Sequence, residues 1–338
     1  MSERWPGGIV RSTPVTPAGP FQNGAAPGVW TLADAAYWTK QGLWPLAGNI
    51  PDGTFGIFAL GVNNSAQGIN TRNKYTYAGC VVSVATSSTT TAFFGSAAGN
   101  TTIGIFALGK GVATRDKYTY AGCVVSAATA ATVASRNGAA AGNSTVGIFA
   151  LGYNACLTVL TTRNKYTYSG DVVSAGGAST VPSATGSATG NSTIGIFALS
   201  LTTGCSLVAT RNKYTYSSCV VGSATAASPA GYNGSAAGNS TVGIFALGQN
   251  GAAARNKYTY SGDVVSTGGA ATSSSYAGAA AGNSVTGIFA LGIVGGQRVV
   301  TRDKYTYSGC VVAAGGAATI GSGCSNAATS NGIAGITM

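Results

Sequence analysis

Twelve of the 18 basic residues belong to one phrase, [TA]R[ND]KYTY, which occurs six times with its arginine at Arg72, Arg115, Arg163, Arg211, Arg255 and Arg302. A lysine stands two positions after each arginine, so the chain carries six evenly spaced cationic pairs. Such pairs can do two kinds of chemistry. Gathered into a ring they can grip phosphate or an anionic polysaccharide; buried, they can stack on aromatic rings of a neighbouring unit. Recurrence at one strand position in every repeat favours the second, with the tyrosines of the adjoining unit as partners. The formal charge of +11 contains no Lys/Arg run, which argues against nucleic acid as a partner.

The rest of the reactive inventory is thin. There is no histidine, and Glu3 is the only glutamate, which removes imidazole acid–base work, imidazole triads and histidine-ligated metal. Paired carboxylates for glycoside hydrolysis would have to come from six aspartates, of which Asp116, Asp171, Asp263 and Asp303 lie inside the repeats. No enzyme activity, cofactor or metal is expected. Seven cysteines are an odd count, so at least one is unpaired or bridges two chains. Cys80, Cys123, Cys219 and Cys310 share a repeat position that Asp171 and Asp263 fill elsewhere. They read as small exposed turn residues and as candidate thiols for bridges between subunits. Cys156 and Cys205 fall in loops of adjacent repeats and form the candidate disulfide. The Asn-Ser-Thr triplets at Asn143, Asn191 and Asn239 match a glycosylation pattern, but they recur at the same hairpin and read as turn chemistry.

These residues need a repeating scaffold to position them. Only 7% of the chain is charged and 45% is hydrophobic, enough apolar mass for a large core. The phrase GIFAL begins at Gly56, Gly104, Gly147, Gly195, Gly243 and Gly287, at intervals that suit propeller blades. Each unit reads as four short strands: a small glycine-rich strand, GIFALG, RNKYTY, and a strand opening on VVS. GIFALG is apolar on both faces, as a strand sandwiched between neighbouring blades must be. In RNKYTY, Arg72, Lys74 and Thr76 fall on one face and Asn73, Tyr75 and Tyr77 on the other. The twelve repeat tyrosines are expected between blades with their hydroxyls at the rim. The expectation is therefore an all-β fold, a β-propeller of four-stranded antiparallel blades. Six blades are expected, seven with a composite last blade being the alternative. The C-terminal SNAATSNGIAGITM resembles a further first and second strand, suited to closing the ring on the first blade.

From each repeat arginine to the next GIFAL glycine the interval is 32 positions in all five cases, Arg72 to Gly104 being the first. All variation in period sits between strands two and three. The 2–3 loops and 4–1 links should emerge on one face of the disc, so variable loops on that face are where ligand contact is expected. The candidates are Asn63, Asn64, Gln67, Tyr153, Asn154, Thr202 and Thr203, whose amides, hydroxyls and ring suit sugars.

Residues 1–50 differ in kind from the propeller at 51–338. They hold all four tryptophans, Trp5, Trp30, Trp38 and Trp44, and a series of prolines that enforces an extended arm. Thr31 followed by Asp34 resembles a capping box opening one short helix. The opening stretch lacks an apolar h-region and no apolar run is long enough to span a bilayer, so neither a secretory signal nor membrane insertion is expected.

The blade phrase, with GIFALG before TRNKYTY, resembles the kelch-like repeats of bacteriophage structural proteins, although a single glycine such as Gly61 or Gly109 replaces the kelch double glycine. The N-terminal stretch is similar to the leader of phage tail and appendage proteins through Pro6-Gly7-Gly8, Thr13-Pro14, Gly28-Val29-Trp30-Thr31-Leu32 and Gly42-Leu43-Trp44-Pro45. The resemblance implies a virion structural protein, assembled in the host cytoplasm as a homo-oligomer. Its arm would be anchored to other virion proteins through the four tryptophans, and its propeller would contact host-surface polysaccharide. A purely architectural decoration or collar protein and a free carbohydrate-binding lectin are the alternatives.

Overall fold

The structure is a computed structural model that describes residues 4–5, 8–9, 31–40, 54–250, 252–323 and 327–332. Contacts divide the chain into Met1–Pro51 and Asp52–Met338. In the first unit, Arg4–Trp5 pairs antiparallel with Gly8–Ile9, and most of the expected extended arm, at 10–30 and 41–50, lies outside the described residues. A helix spans Leu32–Lys40. Its N-terminus is capped as the sequence suggests: the Asp34 N–H donates to Thr31 Oγ1 at 3.1 Å, and the Thr31 hydroxyl donates to the Asp34 carboxylate at 2.5 Å.

The second unit is a six-blade β-propeller of four-stranded antiparallel sheets. Blade 2 shows the pattern in chain order: Ser96–Gly99, Ile103–Ala107, Arg115–Thr119 and Val124–Ala128. Blades 3 to 6 repeat it. Blade 1 is composite, taking its innermost strand from Ala328–Ser330 and the other three from Phe55–Ala59, Arg72–Thr76 and Val81–Ala85. Pairing of Ile57 with Thr329 and of Gly56 with Ser330 thus closes the ring. Ala328–Ser330 supplies the first strand of this blade and Phe55–Ala59 holds the second position, while residues 333–338 lie outside the described residues. That removes the seventh blade.

Side-chain size explains the radial order. The inner strands read SAAG, AAAG, SATG or ATS and are buried at every residue. Around the axis each abuts the next, and larger side chains would collide. The second strand is buried on both faces, with Ile57 and Phe58 at 0 and 1% exposure. At Gly104 an added Cβ would meet the Tyr120 hydroxyl of its own blade and Thr329 of the preceding one.

Two sets of bonds tie the faces together. On the face bearing the 1–2 turns, Asn100, Asn143, Asn191 and Asn239 each accept two backbone N–H groups and a threonine hydroxyl within their own turn. Each then donates Nδ2–H to a serine carbonyl of the next blade at 3.0–3.3 Å. The glycosylation-like triplets are turn chemistry, as expected, and also inter-blade links. On the opposite face Asn137, Thr185, Asn233 and Ala277 donate N–H in series to the preceding blade, starting at the Phe94 carbonyl, over 2.7–2.9 Å. These five residues all hold a left-handed φ of 53–59°. That conformation is unfavourable for any residue with a Cβ, and the series of bonds offsets its cost.

Candidate functional site

The six repeat arginines are among the most buried side chains in the molecule, at 0–1% exposure. Each reaches across to the following blade and lies over the phenylalanine of GIFAL. Arg72 stacks on Phe106, Arg115 on Phe149, Arg163 on Phe197, Arg211 on Phe245, Arg255 on Phe289 and Arg302 on Phe58, at 4.5–4.7 Å from ring centroid. The neighbouring tyrosine, the expected partner, stands further off at 5.8–6.0 Å in the five blades where it faces the guanidinium. Period-two geometry explains the difference: the second strand lies nearer the axis than the third and presents its phenylalanine directly beneath the guanidinium. Desolvated cation–π contacts of this kind stabilise by about 2 kcal/mol each.

Each guanidinium also donates Nη2–H to the residue after the next blade's repeat arginine. The acceptors are Asp116 at 2.7 Å, Asn164 at 3.1 Å, Asn212 at 2.9 Å, Asn256 at 3.0 Å, Asp303 at 2.7 Å and Asn73 at 3.1 Å. The same oxygen accepts a backbone N–H from the arginine's own 4–1 link, for example Thr180 N–H on Asn212. The link hydroxyl turns to suit the partner, donating to Asp116 and Asp303 but accepting from Asn164, Asn212 and Asn73. These Asn and Asp residues escaped the sequence reading. The [ND] alternation beside an unvarying arginine, on the opposite strand face, was the available signal. Burial lowers the pKa of Arg115, Arg163, Arg211 and Arg302 to about 10, so they stay charged at neutral pH. The six arginines therefore build no cationic ring open to an external anion.

The tyrosines divide into two sets. Tyr77, Tyr120, Tyr168, Tyr216, Tyr260 and Tyr307 run inward to the glycines of the 1–2 hairpins, where Tyr120 meets Thr329 at 3.1 Å. Their hydroxyls lie near the axis, against the expectation of the rim. Tyr75, Tyr118, Tyr166, Tyr214, Tyr258 and Tyr305 run outward to the 3–4 turns, as Tyr166 on Asp171 and Tyr258 on Asp263 show.

The 4–1 links and 2–3 loops do share one face, where Ser135–Arg136 pairs with Tyr153–Asn154 and Ser322–Gly323 with Val62–Asn63. The long 2–3 loops are small hairpins, and two candidate ligand residues are consumed in closing them. Asn63 Oδ1 accepts the N–H groups of Ser65 and Gln67, and Asn154 Oδ1 those of Cys156 and Thr158. Thr202 donates its hydroxyl to the Ser206 carbonyl. Asn64, Gln67 and Thr203 are exposed, and Tyr153 is half-buried beside Arg136. The clefts between blades on this side offer about 10 Å³ each, room for about one water molecule.

The cysteines depart from expectation. Cys156 and Cys205 are free thiols, each on the exposed tip of its own loop, so the loop closures hold them apart as separate turns and the disulfide does not form. Cys80, Cys123, Cys219 and Cys310 are free and half-buried, not exposed, each in left-handed backbone at 54–56°. They sit in the seam between blades. Of the candidate anchors, Trp38 is half-buried and packs edge-on against Tyr37 at 5.1 Å. Trp5 lies in the short strand Arg4–Trp5, and Trp30, Trp44 and Cys324 lie outside the described residues. No protein-family model and no curated protein matches the chain.

Two predictions follow from the seam. Arg72→Met leaves the Asp116 carboxylate buried without a counter-charge and should cost about 3–5 kcal/mol. Arg163→Met leaves Asn212 still bonded to Thr180 and should cost about 1–3 kcal/mol. Urea unfolding of both variants checks the order, and equal losses would contradict it.

The second concerns pH. Burial raises the pKa of all twelve repeat tyrosines, Tyr214 to about 12 and Tyr168, Tyr216 and Tyr307 well above the ordinary 10.0. Groups that bind their proton more tightly when folded contribute stability that is complete below pH 10 and lost as pH rises through the folded values. The arginines lowered to about 10 act with the opposite sign, but they are outnumbered. Stability should hold to about pH 10 and then fall, with phenolate absorbance rising in step with the loss of β circular dichroism. Phenolate formation at the twelve repeat tyrosines near pH 10 with β structure intact would contradict burial.

Proposed function

We propose that this chain is a structural protein of a bacteriophage virion, a tail or appendage component. In this reading residues 1–50 anchor it to other virion proteins, and the 2–3 face of its propeller meets host-surface polysaccharide. The observation that carries the reading is a division of labour among polar groups. Side chains that recur in every blade are turned into the seams: the arginines, the [ND] residues and the hairpin asparagines all bond to an adjacent blade. Asn64, Gln67 and Thr203 break the repeat and face solvent on one side only. A rigid scaffold that shows neutral amides and hydroxyls on variable loops suits sugar hydroxyls. The leader-like motifs of residues 6–45 support the virion origin.

A purely architectural role has an observation of its own. Val81, Val124, Val172, Val220, Val264 and Val311 open the outermost strand of each blade and are 52–58% exposed. Uncharged, apolar edge strands are usually covered in an assembled particle.

Replacing the Tyr153–Leu160 loop, and likewise the long loops at 63–70 and 201–209, by the short type at 110–114 separates the two roles. The expected outcome is unchanged melting with adsorption to host cells reduced at least several-fold. Unchanged adsorption across all three replacements would reject the 2–3 face as the binding surface and favour the architectural role.

A further inference from the structure

The 3–4 turn of every blade presents one side chain to the seam with the preceding blade, and in blades 3 and 5 that side chain is a carboxylate. Asp171 Oδ1 accepts the Tyr166 hydroxyl and, at 2.9 Å, the Thr129 N–H, while Lys117 Nζ lies 3.5 Å from Oδ2. Asp263 Oδ1 accepts the Tyr258 hydroxyl and the Thr225 N–H at 2.9 Å in the same way. The fold has thus built a receptacle for an anionic two-oxygen group: one tyrosine hydroxyl, one backbone N–H and one lysine of the preceding blade.

Blade 4 has the receptacle without the anion, and blade 2 has its tyrosine, with Lys74 lying over the Phe55 ring at 4.2 Å. Cys123 and Cys219 occupy the position with the same left-handed backbone, at 54° and 56°. Tyr118 and Tyr214 are fully buried, and their hydroxyls are left without a hydrogen-bond partner. Lys165 Nζ lies 3.8 Å from Cys219 Sγ, where Lys117 meets Asp171 in blade 3. A buried hydroxyl with no hydrogen bond at all is destabilising, and at these two seams the acceptor that Asp171 supplies would restore one. At Cys80 and Cys310 the hydroxyls of Tyr75 and Tyr305 accept the N–H groups of Gly316 and Gly269 at 3.4 Å, so each holds one hydrogen bond where Tyr118 and Tyr214 hold none.

We propose that Cys123 and Cys219 are sites of oxidation to cysteine sulfinate, which supplies in blades 2 and 4 the anionic acceptor that Asp171 and Asp263 supply in blades 3 and 5. The oxidant is a hydroperoxide. The thiol sulfur attacks the peroxide O–O bond, takes one oxygen to become sulfenic acid, and releases water or an alcohol. A second equivalent adds a second oxygen in the same way, so sulfur loses four electrons to two O–O bonds. The sulfinic acid proton dissociates to solvent. One sulfinate oxygen then accepts the Tyr214 hydroxyl, and at Cys219 the Lys165 ammonium balances the charge. Oxidation here tightens a seam, whereas oxidation of buried thiols ordinarily loosens packing.

The test is titration of the reduced full chain with hydrogen peroxide, followed by peptide mass spectrometry and thermal melting. Cys123 and Cys219 should each gain two oxygen atoms and stop there, and the melting temperature should rise by about 1–3 °C. Cys123→Asp and Cys219→Asp should reproduce the rise without peroxide, and the double variant should not rise further on oxidation. Cys219→Ser, which keeps the turn but takes up no oxygen, should remove one increment. Lys165→Gln should reduce the gain at Cys219 and leave that at Cys123 unchanged. A fall in melting temperature on oxidation, progress to sulfonate at both sites, or no oxygen uptake there would each overturn the proposal.

Discussion

A guanidinium sealed away from water needs a π-face and an acceptor, and in this molecule both come from the next blade. Arg72 leans on Phe106 and Asp116, Arg115 on Phe149 and Asn164, and so on until Arg302 meets Phe58 and Asn73. No arginine can satisfy itself within its own sheet. The contact therefore has to propagate from blade to blade and end where it began. A closed ring is the arrangement in which every such charge is covered. Four of the six acceptors are neutral asparagines, so those seams hold a buried positive charge on dipoles and ring quadrupoles alone. Burial accordingly pulls their arginines down to about 10.

The same contact explains the constant interval in the repeat. The segment from Arg72 to Phe106 contains the 3–4 turn, the outer strand, the 4–1 link and the inner strand of the next blade. Its two ends touch. An insertion anywhere inside it would move the phenylalanine off the guanidinium or the link N–H off the shared Asn or Asp oxygen. The 2–3 connection lies outside this circuit, so it is where length varies.

The fold was legible because its signals are periodic: alternation in RNKYTY, a two-faced apolar GIFAL, and a small first strand repeated at the C-terminus. The six-fold closure was legible as well, since the pattern showed a first strand at the C-terminus suited to the first blade, which Ala328–Ser330 supplies. The site was less legible, for a physical reason. Asn63 and Asn154 have the composition of ligand contacts, yet their carbonyl oxygens close turns, and single-sequence patterning does not distinguish an amide spent on backbone from one offered to solvent. The cysteines misled in another way. Their exchange with Asp suggested exposed turns, whereas the shared feature is a left-handed seam position whose carboxylate accepts from a buried tyrosine.

The central claim is that the six repeat arginines are sealed between blades, and their own side-chain protons report on it. In the protein labelled with nitrogen-15 at arginine, hydrogen exchange at Nε–H distinguishes a sealed guanidinium from a solvated one. Each of the six has its Nε buried. The account predicts that the Nε–H signals of the six repeat arginines exchange at least a hundredfold more slowly than a free arginine side chain and persist until the propeller unfolds as a whole. Six signals exchanging at the rate of a free arginine side chain would contradict it.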